Sequence, residues 1–476
     1  MFRPLASSIL VWLALEMVVC RGTLAQTPLP FDELGAGPRA TALGQAFTAL
    51  ADDTSAAYYN PAGLVQIRSP LHLTIGYAYA KPRIRVTFET PPVQNPALGR
   101  VASNQVEDFS TKGLYVGYAC TFADVSAFRH SPVAGRFSVG LALLTNLPQI
   151  TQFDNPQRPQ DPYVFKYNER WSLVSFALSA AFRCTPWLSV GAGIVPRIDS
   201  LQESRGSWLD IIGAADPKDA SRGMRMNLSA TTRLGVVPIG GVLAAIPWGG
   251  GLKGRVSIGV SYRGKVYGYY GTGLTGVDVL VSRPGRDPVI IYSDPGTRTV
   301  DYIGFTPEQV TFGVALKDVH GLTLTSDLTW KRYSAFHFFW DLPPYDIVDG
   351  VRVENPFKDV WVPRIGVLYS FSPCFEGTYT RKITEISLLA GYYREPSPVP
   401  SMDGPMNILD ADQNVVSAGI GIVYDAEWTG RLRCEAYVQA HLLEENYIKN
   451  DRDPLFSPIT VGGYVIAGGI ALSVAY

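Results

Sequence analysis

Five charged residues stand where charge is hardest to place. Asp327, Lys331, Glu385, Arg433 and Glu435 fall on one face of segments whose other face is largely apolar. Side chains alternate across a strand, so such residues share one side of a sheet. Enclosed there, they would pair with one another or line a wet path. Pairing is the default, and a basic residue holding a substrate carboxylate is the alternative; both stay open. The other chemically able residues form no set. His72, His130, His320, His337 and His441 are scattered without metal-ligand spacing. No Ser/His/Asp arrangement can be read, so no catalytic residue is expected and an enzyme is not expected. The run Gly271-Thr272-Gly273-Leu274-Thr275-Gly276 matches a dinucleotide fingerprint by letters, but no helical pattern follows it. Asp410, Asp412 and Asn414 have the spacing of a calcium loop's start, without its glycine and distal glutamate. No cofactor and no metal are expected. The formal net charge of -1 offers nothing to nucleic acid.

The elements that carry these residues read as strands. Long alternating segments fall near 71–81, 110–121, 135–147, 167–184, 187–199, 224–237, 255–267, 303–318, 322–335, 360–371, 384–395, 414–425, 431–443 and 463–476. In 322–331, Leu322, Leu324, Leu328 and Trp330 oppose Thr323, Thr325, Asp327, Thr329 and Lys331. In 463–476, Tyr464, Ile466, Ile470 and Leu472 oppose Ala467, Gly469, Ala471 and Ser473. In 431–443, Val438 and Leu442 oppose Glu435, Gln439 and His441. Strands of about ten residues are long enough to cross a bilayer at a tilt. Long connections near 82–109, 146–168, 200–223, 268–302, 336–359, 396–413 and 444–462 alternate with mostly short ones, such as Asp318-Val319-His320-Gly321. The segments 122–134 and 238–254 are the long exceptions among the turns. An even number of strands with long outer loops and short periplasmic turns is the pattern of a bacterial barrel. The fold class predicted is all-β: a transmembrane antiparallel β-barrel of about 14 strands.

Composition agrees. Hydrophobic residues make up 46% and charged residues only 17%, low for an ordinary soluble domain. Residues 1–25 read as a signal peptide, with Arg3, an apolar core over Ile9 to Cys20, and cleavage near Ala25. Residues 70–476 would form the barrel, and residues 26–69 an N-terminal hatch, or plug, inside it.

The candidate hatch is Gly35-Ala36-Gly37-Pro38-Arg39-Ala40-Thr41-Ala42-Leu43-Gly44, then Asp52-Asp53, then Ala56-Ala57-Tyr58-Tyr59-Asn60-Pro61-Ala62-Gly63-Leu64. Small residues let backbones approach closely, and Asn60-Pro61 favours a turn. The run Phe31 to Leu64 resembles the N-terminal hatch of the FadL family, outer-membrane transporters of long-chain fatty acids and other hydrophobic compounds. The resemblance continues through Pro307 to Val314, Asp327-Leu328-Thr329-Trp330, Trp361-Val362-Pro363-Arg364-Ile365-Gly366 and Ala390 to Pro400.

The resemblance implies a hatch motif at Asn60, Pro61 and Ala62. It implies capture of an apolar ligand by the third and fourth outer loops, which carry Trp208, Leu209, Ile211, Ile212, Leu274, Val277 and Leu280. Phe31 would reach an inner pocket above the hatch. It also implies lateral release at a kink in the third strand, where Gly140, Asn146 and Pro148 fall; the alternative is that Pro148 simply ends that strand. The localisation implied is the bacterial outer membrane. The partners implied are a hydrophobic small molecule, membrane lipid and lipopolysaccharide, with a monomer expected. The alternative function is a hatch-containing barrel that docks components of protein secretion. Cys120, Cys184, Cys374 and Cys434 all fall near periplasmic turns, a compartment that permits disulfides. Adjacent turns would offer Cys120–Cys184 and Cys374–Cys434, and both stay open.

Overall fold

A computed structural model describes residues 32, 34–67, 70–88, 105–107, 110–122, 135–146, 163–164, 166, 175–210, 224–246, 256–283, 286–294, 298–336, 345–348, 351–354, 357–373, 383–400, 408–426, 430–448 and 458–475. The segment expected to be a signal peptide lies outside the described residues.

Fourteen strands among the described residues form the wall. They are β1 (Leu71–Phe88), β2 (Thr111–Thr121), β3 (Phe137–Asn146), β4 (Ser175–Arg183), β5 (Leu188–Asp210), β6 (Met224–Ile246) and β7 (Val256–Arg263). Then follow β8 (Glu308–Val319), β9 (Leu322–Arg332), β10 (Val360–Phe371), β11 (Ile383–Glu395), β12 (Gln413–Ala426), β13 (Gly430–Ile448) and β14 (Ile459–Ala475). Each pairs antiparallel with the next. β14 then pairs with β1, from His72↔Ala475 to Phe88↔Ile459, and the barrel is closed. Closure satisfies every backbone group of the wall without water, as a bilayer requires.

The alternation of the sequence becomes the two faces of this wall. On β9, Leu322, Leu324 and Leu328 are exposed, while Thr323, Thr325, Asp327, Thr329 and Lys331 are buried inside. On β14, Tyr464, Ile466, Ile470 and Leu472 point out, and Ile470 is 64% exposed. Ile75, Ile194, Phe312, Ile365, Leu388, Val416 and Val438 continue this apolar belt on other strands. Such a belt is stable against lipid and a liability in water.

Prolines fall where the ladder can spare a donor. β1 keeps β2 as a neighbour up to Ala80↔Thr111, and Pro82 follows. β5 keeps β4 up to Ile194, and Pro196 follows. Pro238 lies just beyond Ile239↔Arg263, where β6 loses β7. Pro363 lies just beyond Arg364↔Tyr393, where β10 loses β11. At each point one side of the strand is released, so the missing N–H costs little.

Three expectations are corrected. Residues 200–210 and much of 268–302 are strand, not loop. β5 and β6 continue past the rim as a hairpin, with Val266–Arg283, Arg286–Asp294 and Arg298–Thr306 as further strands. Val277, Val279 and Val281 alternate there, a β-branched pattern that favours extended backbone, and Pro284-Gly285 is a turn signal. Second, the Gly- and Pro-rich stretch 238–254 is not all turn, because β6 runs to Ile246. Third, Cys120, Cys184 and Cys434 are free thiols. β3 lies between β2 and the end of β4, and two strand spacings of about 4.8 Å exceed disulfide reach. Cys374 lies outside the described residues.

Candidate functional site

Residues 34–67 sit within the ring of strands, and nearly all are buried. They include two short helices, α1 (Pro38–Ala42) and α2 (Ala56–Tyr59), and a 3-10 helix, Pro61–Gln66. Helices this short leave many carbonyls and amides unbonded. The inner wall supplies their partners. Ser179 of β4 donates to Ala57 O at 2.7 Å, Ser189 of β5 to Ala62 O at 2.8 Å and Ser257 of β7 to Ala49 O at 2.7 Å. Thr325 of β9 donates to Ala46 O at 2.9 Å, and Ser417 of β12 to Ala42 O at 3.0 Å. Asp327 of β9 does the converse: its Oδ2 accepts from the amides of Phe47 (3.0 Å) and Thr48 (2.9 Å). Asp327, singled out in the sequence as a lumen charge, therefore binds backbone rather than a cation.

Asn60, Pro61 and Ala62 act as one unit. Asn60 leaves the helical region (φ -156, ψ 100), as a residue before proline prefers, and caps the 3-10 helix. Its Oδ1 accepts from Ala62 N at 3.1 Å. Its Nδ2 donates to Thr48 O at 2.8 Å and to Val242 O of β6 at 3.2 Å. Only an amide can accept and donate in this way from one short side chain. The wall is hollowed to receive it. A Cβ on Gly191 would lie 2.3 Å from Ala62 N, so only glycine fits.

The outer end of the segment is tied by Asp32. Tyr58 donates to its Oδ1, Gln309 of β8 donates to its Oδ2 at 3.1 Å, and Arg263 of β7 lies 2.9 Å away. The Arg263 guanidinium also stacks over the Tyr58 ring, 4.0 Å from its centroid. Phe31 lies outside the described residues.

Toward the outer side the lumen holds a buried ionic cluster between apolar ones. Lys331 pairs with Glu395 at 2.7 Å, and both side chains are 1% exposed. Lys166 pairs with Asp410 at 3.2 Å and approaches Glu395 at 3.9 Å. Burial pushes the Asp410 carboxyl up, and Lys166 opposes that shift. Arg364 donates to Thr329 and stacks on Tyr393, 5.3 Å from the ring centroid. Beside these charges Phe305, Phe336, Phe357, Val360, Val362 and Val415 form one apolar cluster, with Phe336 and Phe357 4.7 Å apart. Ile84, Leu409, Leu443, Ile459 and Val461 belong to another.

Below the segment, at the periplasmic ends of the strands, lies a polar cavity of about 530 Å³. Arg39 and Asp52, paired at 2.6 Å, line it with Lys317, Glu385, Arg433 and Glu435. Here Glu385 and Glu435 lie 3.5 and 3.6 Å from Arg433. Glu385, Arg433 and Glu435 thus pair with one another, whereas Lys331 pairs with Glu395, outside the five charges singled out in the sequence.

The residues expected to capture ligand come together in register, as strands. Leu209 of β5 partners Leu280, Trp208 partners Val279, Ser204 partners Leu274 and Gly206 partners Val277, in a parallel pair above the wall. Ile211 and Ile212 lie outside the described residues. The expected break at Gly140 is absent. Gly140 is paired to Ala119 on one side and Ser179 on the other, and β3 keeps both neighbours to Leu144. Its lack of a side chain serves Leu64, which a Cβ there would meet at 2.5 Å. Asn146 partners Gly113, and Pro148 lies outside the described residues. Lys166, Arg263 and Gln309 carried no sequence signal: Lys166 stands in an aperiodic polar stretch, and the other two end or begin strands.

A closed antiparallel barrel with an apolar outer belt and a packed inner segment is the architecture of a bacterial outer-membrane barrel. Residues 32–430 match the family described as outer membrane protein transport protein (OMPP1/FadL/TodX), and the chain belongs to that family. Among solved structures, a Pseudomonas aeruginosa FadL homologue is similar with 15% identity and TM-score 0.53, over 96% of this chain and 99% of that one. The TodX monoaromatic hydrocarbon channel deltaS2 mutant is similar with 12% identity and TM-score 0.53, over 94% of this chain and 100% of that one. No curated protein matches the chain.

Proposed function

We propose that the protein takes up an apolar compound, a long-chain fatty acid or a hydrocarbon, with residues 34–67 as a hatch. One observation carries this reading. Inside the wall, toward the outer side, Phe305, Phe336, Phe357, Val360, Val362 and Val415 pack into a buried apolar cluster, where a porin would be polar. A docking barrel in protein secretion would share Asn60-Pro61-Ala62 but has no need of an apolar interior. Capture falls to the parallel pair that sets Trp208 and Leu209 beside Val279 and Leu280. The ligand passes the aromatic cluster and leaves sideways beside β3, whose described pairing with β4 reaches Leu144↔Ser175. The polar, charge-lined cavity under the hatch is a poor route for an apolar solute, which supports that exit.

Uptake in cells tests this. Cells expressing the protein should take up labelled fatty acid or toluene faster than cells expressing Phe336→Asn or Phe357→Asn. Equal rates for folded variants would sink the reading. Co-purification of secretion components without any bound apolar compound would favour docking.

A further inference from the structure

The ionic cluster of the lumen leaves one acceptor open. Glu395, the last residue of β11, is buried, and its Oε1 accepts from Lys331 at 2.7 Å and stands 3.9 Å from Lys166. Lys166 itself pairs more closely with Asp410, at 3.2 Å. The second oxygen, Glu395 Oε2, is buried and has no hydrogen-bond partner among the described residues. A carboxylate oxygen held away from water without a donor destabilises the fold that holds it. The open oxygen borders the aromatic cluster. Tyr393 precedes Glu395 on the same inward face, and its register partner is Val415. Lys331, which fixes Oε1, has Val360 as its register partner. Tyr393, Val415 and Val360 belong to one apolar cluster with Phe336 and Phe357.

The charges around Glu395 decide what chemistry fits there. Lys331, Lys166 and Arg364, whose guanidinium stacks on Tyr393, are cations; Glu395 and Asp410 are the carboxylates between them. An ammonium ligand would bring a further cation to a dry site, where like charges repel strongly. A carboxylate would set an anion against Oε2, which can only accept. A pure hydrocarbon would leave Oε2 unbonded. A neutral hydroxyl carries one donor and no charge, and an O–H donated to a carboxylate makes a short, strong bond.

We propose that the lumen holds an apolar compound by a hydroxyl group, as an alcohol or a phenol, whose O–H donates to Glu395 Oε2 while its carbon skeleton lies on the cluster of Phe336 and Phe357. This rests on uptake of an apolar compound through the barrel, and it adds the polar group by which one such compound is preferred to another.

The test uses the full-length barrel purified in detergent and equilibrium dialysis with p-cresol and p-xylene, corrected for partition into empty micelles. The two probes share a skeleton and differ by a hydroxyl in place of a methyl. The parent should bind p-cresol about tenfold or more tightly than p-xylene, the scale of one hydrogen bond to a charged group. Lys331→Met combined with Glu395→Leu removes the ion pair as a unit and should bring that ratio below about threefold, since the acceptor is gone. Glu395→Gln keeps an oxygen for Lys331 and puts an amide donor in place of the open acceptor, so it should lower the ratio as well. Heat-modifiable migration on a gel shows which variants are folded, and either one suffices. A parent that binds the two probes equally or not at all, or a folded variant that keeps the parent's ratio, overturns the hydroxyl site. A water that only fills the space beside Oε2 gives no such preference and is read as the same overturning result. The transport reading stands or falls separately, on uptake by cells expressing Phe336→Asn or Phe357→Asn.

Discussion

Asn60 fills the space that Gly241 leaves open: a Cβ on Gly241 would stand 2.0 Å from the Asn60 Oδ1. The wall and the enclosed segment are thus fitted atom to atom at the Asn60-Pro61-Ala62 motif. Gly241→Val is expected to force this contact apart and destabilise the folded barrel by about 1–3 kcal/mol. A lower temperature for loss of the heat-modifiable form would show it. An unchanged transition would mean that the motif does not bear on the wall.

Asp327 is the acceptor for two amides of the enclosed segment, Phe47 N and Thr48 N. Asp327→Ala should expose Phe47 N and Thr48 N to exchange, at a cost of about 1.5–3 kcal/mol for hydrogen bonds to a charged group. Amide exchange at Phe47 and Thr48 should accelerate at least tenfold, and Asp327→Asn should fall between variant and parent. Parent-like protection in the alanine variant would refute the role.

The Lys331–Glu395 pair is dry. Glu395→Leu alone leaves a buried ammonium and should destabilise by about 3–5 kcal/mol, whereas Lys331→Met combined with Glu395→Leu should cost far less. Urea unfolding in detergent compares the three proteins. Equal loss in the single and double variants would show that the pair itself is not what the cluster depends on.

The strand map was legible because lipid enforces it. A wall with oil on one side and packed backbone on the other must alternate, so Leu322 to Lys331 could be read residue by residue. What each inward residue touches was not legible. Ser179, Ser257 and Thr325 read only as small polar residues until the carbonyls above them are known. Gly140 read as a weak point in the wall and is a seat for Leu64. Trp208 and Leu280 read as loop tips because β-propensity gives no limit to how far a strand continues past the rim.

Capture can be tested at Trp208 and Leu280 of the parallel pair and at Ile211, which lies outside the described residues. Replacing Trp208, Ile211 and Leu280 with serine should weaken binding of the apolar ligand, each by up to about 1–3 kcal/mol. Titration calorimetry gives the affinity, and unchanged uptake by the triple variant would rule out this entry point.

Lateral exit can be closed chemically. Leu144 and Ser175 are register partners on β3 and β4. Directly opposed residues stand about 4.5–5.5 Å apart at Cα, within disulfide range. Leu144→Cys with Ser175→Cys, in a background without Cys120, Cys184, Cys374 and Cys434, should slow uptake when oxidised and restore it on reduction. Equal rates in both states, with the crosslink confirmed, eliminate this exit.

The enclosed segment is also leashed at its inner end. Thr121 donates to Ile67 O at 2.9 Å, its amide bonds Pro70 O at 3.3 Å, and Arg183 donates to Val65 O. Four Cα steps separate Ile67 from Leu71, the first residue of β1. Fully extended they give roughly 14 Å of slack. The apolar band is about 25 Å tall. The segment therefore cannot slide out toward the periplasm as a rigid body while β1 stays in the wall. Whatever passes must do so by bending the tethered piece or by going around it.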